Sequence, residues 1–88
     1  MRRRALSGSA AGRLAGLLLD LGKSAGSYGN YEMRLTMALT HEDLANLVGT
    51  SRETVTRTLT RFKKESFIQI KGSSILITAP QRLDQISF

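Results

Sequence analysis

The 88-residue sequence predicts one small α+β domain. Three segments space their apolar residues as helices do, residues 33–39 alternate between apolar and other residues as a strand does, and two isoleucine-containing runs flank a Lys-Gly-Ser-Ser turn. A content of 41% apolar residues suits a single hydrophobic core. Cysteine is absent, which excludes disulfides and cysteine-based zinc sites.

The charge of the chain favours an anionic partner. Thirteen basic residues against seven acidic ones give a net charge of +6 and an isoelectric point near 10.6. Three arginines fall in residues 1–8, which we expect to be a disordered basic arm ahead of a domain at 9–88. The uninterrupted apolar run that follows, 14–19, is too short for a signal peptide or a membrane span, so no membrane partner is expected.

The first predicted helix follows this arm. Ser7 or Ser9 can cap it, and Gly22 is expected to end it. Its apolar positions repeat at intervals of three and four residues, and they are Leu14, Leu17, Leu18 and Leu21. A loop is expected at 23–32, and the alternation of 33–39 then predicts a short half-buried strand.

Two closely spaced helices come next. Thr40 and Asp43 can form a capping box, and Gly49 can end the first helix after about two turns. Its apolar spacing is carried by Leu44, Leu47 and Val48, and that of the next helix, 51–65, by Val55, Leu59 and Phe62. Because Gly49 and Thr50 alone separate them from the next cap, Ser51, the helices must cross steeply, as in a helix-turn-helix.

The polar residues of helix 51–65 fall opposite its apolar face at about 100° per residue. Arg52 lies in the first turn, Thr56 and Arg61 flank the polar face, and its centre holds Glu53, Arg57, Thr60 and Lys64. A solvated surface with a Glu53–Arg57 ion pair worth about 0.3 kcal/mol is the alternative to a binding face.

A β-hairpin is predicted at 67–77. Directly behind a helix-turn-helix such a hairpin forms the wing of a winged helix. Lys71, Ser73 and Ser74 at its tip are residue types that contact phosphates, although Gly and Ser are also ordinary turn residues. Pro80 ends the second strand, and a last short helix is expected at 81–87.

Residues 39–77 resemble the DNA-binding half of the Crp/Fnr family of bacterial transcription regulators, and the most specific piece is Gly-x-Ser-Arg-Glu-Thr-Val-x-Arg at 49–57. The resemblance implies that Arg52, Glu53 and Arg57 contact base edges in the major groove of a TGTGA-like half-site. Arginine offers a donor fork to guanine, and glutamate accepts from cytosine N4. Thr56 and Thr60 are expected to flank these contacts.

The resemblance also implies contacts with phosphates of the DNA backbone, which fix the position of the protein along the duplex. For Thr40 and Ser51, helix capping is an equal alternative, and both roles can coexist. We add two basic residues of helix 51–65 to the predicted phosphate set, which is Thr40, Ser51, Thr54, Arg61, Lys64, Lys71 and Ser73.

Members of the family usually carry a sensor barrel and a long dimerisation helix, neither of which fits before Leu14. The resemblance therefore implies a cytoplasmic regulator that dimerises at full length, with double-stranded DNA as partner and RNA polymerase as a further candidate. Any effector would bind the absent sensor, so no cofactor is expected in this chain. Ser66 stands where the family often has glycine, and a left-handed conformation there would cost about 1 kcal/mol.

The sequence offers little for catalysis, and no catalytic or metal-binding residue is predicted. His41 is the single histidine, and it has no cysteine or second histidine with which to bind a metal. The remaining alternative is a winged helix that binds another protein instead of reading DNA. Arg57, Arg61 and Lys64 favour DNA over that alternative.

Overall fold

The computed structural model describes residues 9–24, 33–36 and 39–86. Within these residues, four helices and a three-stranded antiparallel sheet form a winged helix-turn-helix, which confirms the predicted α+β fold. The basic arm 1–8, two positions of the predicted strand (37–38) and residue 87 of the predicted last helix lie outside the described residues. The elements are α1 (Ala10–Ser24), β1 (Met33–Thr36), α2 (His41–Val48), α3 (Arg52–Lys64), β2 (Ile68–Lys71), β3 (Ser74–Ile77) and α4 (Pro80–Ile86).

Helix α1 begins after Ser9, whose Oγ accepts a hydrogen bond from the Gly12 N–H at 2.9 Å. The prediction that Gly22 ends this helix is wrong, since α1 continues to Ser24. Gly22 is buried where α1 approaches β1, and a Cβ there would lie 3.1 Å from the Met33 Sδ. The glycine is therefore used for close packing instead of termination.

The core face of α1 is rotated slightly from the predicted stripe. Leu17 and Leu21 are half-buried against the edge of the core, while the fully buried positions include Leu14, Ala15, Leu18 and Leu19. Helix α4 packs on α1, begins with Pro80 at its first position and buries Leu83. The predicted last short helix is thus confirmed within the described residues.

The helix-turn-helix forms as its local sequence predicts. The Asp43 N–H donates to Thr40 Oγ1 at 3.0 Å and the Thr40 N–H donates to Asp43 Oδ2 at 2.9 Å, which completes the capping box. Gly49 ends α2 in the left-handed conformation, φ 74°, with its N–H bonded to the Ala45 carbonyl. The Thr50 N–H donates to the same carbonyl at 2.9 Å, so the turn is closed tightly.

The C-terminal end of α2 is held by α1. The Arg13 Nε donates to the Val48 carbonyl at 2.7 Å, which places a cation at the negative end of the α2 dipole. Of the three residues that carry the predicted apolar spacing of α2, Leu44 and Val48 are buried, but 61% of the Leu47 surface is exposed. Ala45 lies in the core instead, on the side of α2 that faces its neighbours.

The predicted first strand and the two strands of the predicted hairpin form one sheet. The predicted hairpin is present, with Lys71 opposite Ser74 and a two-residue turn in which Gly72 has φ 60°. Strand β1 pairs antiparallel with the other edge of β3, where Arg34 faces Leu76, so the strand order is β1-β3-β2. Along the chain, the helix-turn-helix therefore lies between β1 and β2, the two edge strands of one sheet.

Helix α3 ends in a Schellman motif. The Phe67 N–H donates to the Phe62 carbonyl at 2.9 Å and the Ser66 N–H donates to the Lys63 carbonyl at 3.1 Å. The rings of Phe62 and Phe67 pack with centroids 6.2 Å apart, which is the apolar contact that accompanies this motif. Ser66 has φ 63°, as predicted for the position where the family often has glycine.

We expect Ser66→Gly to stabilise the domain by about 1 kcal/mol, because glycine adopts the left-handed conformation without the Cβ penalty. Urea denaturation at equilibrium measures the change. Glu65→Gly is the matched control: Glu65 has φ −87°, so glycine there should destabilise the domain. Equal effects of the two substitutions would contradict a strained Ser66.

Candidate nucleic-acid interface

Helix α3 separates its residues into a buried and an exposed side. Val55, Leu59 and Phe62 lie in the core, as predicted. We call the exposed side the outer face of α3, and it comprises Arg52, Glu53, Thr56, Arg57, Thr60 and Lys64, all of them exposed. The predicted boundaries of this helix are confirmed, with Ser51 as its N-cap and Glu65 as its C-cap.

The central charges of the outer face do not neutralise each other. Arg57 turns toward Thr54, with its Nη2 3.4 Å from Thr54 Oγ1, a distance near the limit of a hydrogen bond. Within the described part of the chain, Glu53 has no ion-pair partner. The Glu53–Arg57 pair that the sequence offered as an alternative is therefore not formed in this structure. An exposed pair between Arg61 and Glu65 lies further along α3, and such pairs contribute little to stability.

Two residues of the predicted phosphate set, Thr40 and Ser51, are also helix caps. Ser51 Oγ accepts from the Thr54 N–H at 3.1 Å, and its hydroxyl donates to Thr54 Oγ1 at 2.9 Å. Thr40 caps α2 in the same way, so the capping alternative holds for both residues. Caps leave further helix N-terminal N–H groups pointing outward, where anions bind. Capping and phosphate contact are therefore compatible here.

Thr56 and Thr60, the two predicted flanking residues, differ in their hydrogen bonds. The Thr60 hydroxyl donates to the Thr56 carbonyl at 2.8 Å, within the same helix. The Thr56 Oγ1 instead lies 2.8 Å from His41 Nδ1 at the start of α2. This contact joins the two helices and was not predicted, since 15 positions separate the two residues.

His41 and Thr56 line a shallow depression beside the outer face of α3. The depression lies between the N-terminal turn of α2 and the first turns of α3. Its lining residues are Thr40, His41, Glu42, Asp43, Arg52 and Thr56. It therefore brings the capping threonine of α2 close to two residues of the outer face.

The wing, formed by β2, β3 and their turn, carries the other predicted contacts. Lys71 ends β2 and Ser73 lies in the turn, and both are exposed. Arg61 and Lys64 are exposed near the C-terminal end of α3. The structure therefore places every predicted contact residue at the surface, with Thr54 alone of them partly buried.

Within residues 9–24, 33–36 and 39–86, no three acidic or histidine side chains come together as a metal site. No helix in the described part of the chain is long and apolar enough to cross a membrane.

The fold and the basic outer face of α3 define a DNA-binding winged helix-turn-helix domain. A family model described as the Crp-like helix-turn-helix domain matches residues 12–86. The chain belongs to this family, which confirms the resemblance seen in the sequence.

Relatives of known name agree with this assignment. The chain is 42% identical over 72 residues to the CRP-like cAMP-activated global transcriptional regulator of Mycobacterium tuberculosis, covering 82% of this chain and 32% of that protein. It is 31% identical over 75 residues to the electron transport regulator A of Shewanella oneidensis, covering 85% of this chain and 30% of that protein. These relatives are regulators by name, in agreement with the prediction that the chain is not an enzyme.

Solved structures show the same fold. The CO-dependent transcription factor CooA from Carboxydothermus hydrogenoformans superposes with a TM-score of 0.78 at 28% identity, covering 91% of this chain and 37% of that one. The chain spans about a third of the length of the curated relatives it matches.

Proposed function

We propose that the chain is the sequence-specific DNA-binding domain of a transcription regulator and that α3 enters the major groove of a TGTGA-like half-site. The observation that carries this proposal is the outer face of α3, on which Arg52, Glu53 and Arg57 are exposed without forming ion pairs with one another. A helix of this kind lies in the groove with its N-terminal residues nearest the bases. Arg52 and Glu53 occupy the first turn of α3.

The side chains of Arg52, Glu53 and Arg57 can form hydrogen bonds that are complementary to base edges in the major groove. Arg52 and Arg57 each present a fork of donors that fits guanine O6 and N7. Glu53 accepts a hydrogen bond from cytosine N4 and is repelled by phosphates, so its place is against a base edge. Together they favour a half-site that contains G·C pairs, such as TGTGA, in which a T·A pair separates two G·C pairs.

The surrounding residues suit the phosphate backbone. Lys71 and Ser73 are exposed on the wing, which follows α3 in the chain, and Arg61 and Lys64 are exposed near the C-terminal end of α3. Thr40 and Ser51 stand at two helix N-termini, whose N–H groups and dipoles favour anions. Such contacts fix the register of α3 on the duplex and contribute no base preference.

We further propose that the chain acts within a longer, cytoplasmic regulator. The relatives extend well beyond the region matched, and one is named for activation by cAMP. The full regulator would pair two of these domains on a two-fold symmetric operator. Its effector would bind a sensor outside this chain, and RNA polymerase would be a partner of the assembled regulator.

The test is binding to fluorescent duplexes, one that carries a TGTGA half-site and one of scrambled sequence, at increasing salt. We expect weak binding by the monomer, with log K falling linearly with log salt by about 0.9 per phosphate neutralised. The half-site should be preferred at every salt concentration. Binding whose affinity depends on neither salt nor DNA sequence would favour the alternative, a winged helix that binds another protein.

The wing provides a separate prediction. Lys71→Ala should weaken binding to all duplexes about equally and reduce the salt slope by roughly one unit, because one phosphate contact is lost. Lys63→Ala is the matched control, since Lys63 is exposed but is not assigned a contact. A loss confined to one sequence would show that Lys71 contacts a base and not the backbone.

A further inference from the structure

We propose that His41 is a positioning residue that decides whether the Thr56 hydroxyl acts as a donor or as an acceptor toward a base. The inference rests on the proposed function, since it needs the outer face of α3 to lie in the major groove. It adds a specificity determinant outside the recognition helix. It also predicts that base preference at one position depends on pH.

The geometry joins two rigid elements. His41 is the first residue of α2, whose N-terminus is fixed by the capping box of Thr40 and Asp43. The imidazole Nδ1 lies 2.8 Å from the Oγ1 of Thr56, which is exposed on the outer face of α3. Thr56 is one helical turn after Arg52 and directly precedes Arg57. A hydroxyl held at this place stands between two residues proposed to contact bases.

The proton on His41 determines the direction of this hydrogen bond. We assign to neutral His41 the tautomer with its proton on Nε2, in which Nδ1 is an acceptor and the Thr56 hydroxyl donates to it. The free lone pairs of Oγ1 then make Thr56 an acceptor toward DNA. In the imidazolium both ring nitrogens are donors, so Nδ1 donates to Oγ1 and the hydroxyl proton of Thr56 turns outward. Thr56 is then a donor toward DNA.

The two states suit different base edges. An acceptor pairs with adenine N6 or cytosine N4, whereas a donor pairs with guanine O6 and N7 or thymine O4. Histidine changes charge near neutral pH, within the range in which DNA duplexes are stable. The charged groups around the imidazole are Glu42 and Asp43 on α2 and Arg52 on α3, so charges of both signs face it. An added positive charge strengthens binding to every duplex, which is separable from a change in base ranking.

Binding to a half-site duplex and its single-base variants, measured at about pH 5.5 and about pH 8, tests the inference. We expect one base pair at which the preference moves from adenine or cytosine at high pH to guanine or thymine at low pH. The expected change is about 3- to 10-fold, the effect of one neutral hydrogen bond. Because the chain has one histidine, its imidazole NMR signals report the protonation state of His41 in the same samples.

Three variants separate this role from a structural one. Thr56→Val removes the hydroxyl and should abolish the pH-dependent ranking. His41→Gln keeps a hydrogen-bonding side chain without a titrating group, so one ranking should persist at both pH values. Thr60→Val is the control, because the Thr60 hydroxyl is bonded within α3 and should leave the pH dependence unchanged.

Two kinds of result would contradict the inference. A ranking of bases that is independent of pH in the unmodified chain, or a pH-dependent ranking that survives Thr56→Val, overturns the inference while leaving sequence-specific binding intact. Equal binding to all duplexes at both pH values overturns the proposed function and this inference with it.

Discussion

Arg57→Ala is expected to weaken binding to the preferred half-site by about 1 to 3 kcal/mol while non-specific binding falls much less. The side chain is exposed in the middle of α3, and its one described contact is a long hydrogen bond to Thr54. Little intramolecular interaction must be broken when the guanidinium turns toward guanine. Its removal should also change the free energy of unfolding by only a few tenths of a kcal/mol. Fluorescence anisotropy with single-base variants of the half-site measures the loss.

Two further variants on α3 serve as comparisons for Arg57→Ala. Arg61→Ala removes the same charge at a position assigned to phosphate, so all sequences should weaken together. Glu53→Ala removes a carboxylate that phosphates repel, so total affinity should hold while the preference at a neighbouring base pair relaxes. If the ranking of sequences stayed unchanged in both Arg57→Ala and Glu53→Ala, the outer face of α3 would be only a solvated surface.

Phe62→Ala should destabilise the domain by about 3 to 5 kcal/mol. Only 1% of the Phe62 surface is exposed, and its ring packs against Phe67 at the end of α3. Because a domain of this size has little stability in reserve, the variant should be largely unfolded at moderate temperature. Circular dichroism during urea denaturation measures the free energy of unfolding.

Leu47→Ala is the matched control for this substitution. Leu47 is a large apolar residue on α2, but it is mostly exposed, so its truncation should change stability by no more than about 0.5 kcal/mol. A large loss in Leu47→Ala, or a small one in Phe62→Ala, would mean that the core is not arranged as described.

The features that the sequence predicted correctly depend on few neighbouring residues. The capping box of Thr40 and Asp43, the left-handed Gly49 and the cap at Ser51 are completed within four positions along the chain. Their hydrogen bonds use the local backbone, so their sequence pattern is sufficient. The exposed side of α3 followed from helical periodicity for the same reason.

The features that were wrong or missing depend on distant parts of the chain. Glycine is common at helix ends, but Gly22 lies inside α1, where it packs closely against Met33 of β1. Leu47 fits the helical spacing of α2, yet 61% of its surface is exposed. The contact of His41 with Thr56 follows from the crossing of α2 and α3, which spacing alone does not fix. The predicted DNA contacts stay predictions, because they concern a partner outside this chain.

The pairing of β1 with β3 determines the order in which the domain can fold. Arg34 and Leu76 face each other, so closing this pair brings together positions separated by roughly forty residues, at a cost in chain entropy. Helices α2 and α3 lie inside the closed loop and use mostly local contacts, which form faster. We expect the sheet to close late, with the hairpin of β2 and β3 already formed. Proteolysis pulses during refolding should therefore cut the segment before α2 after α3 has become protected.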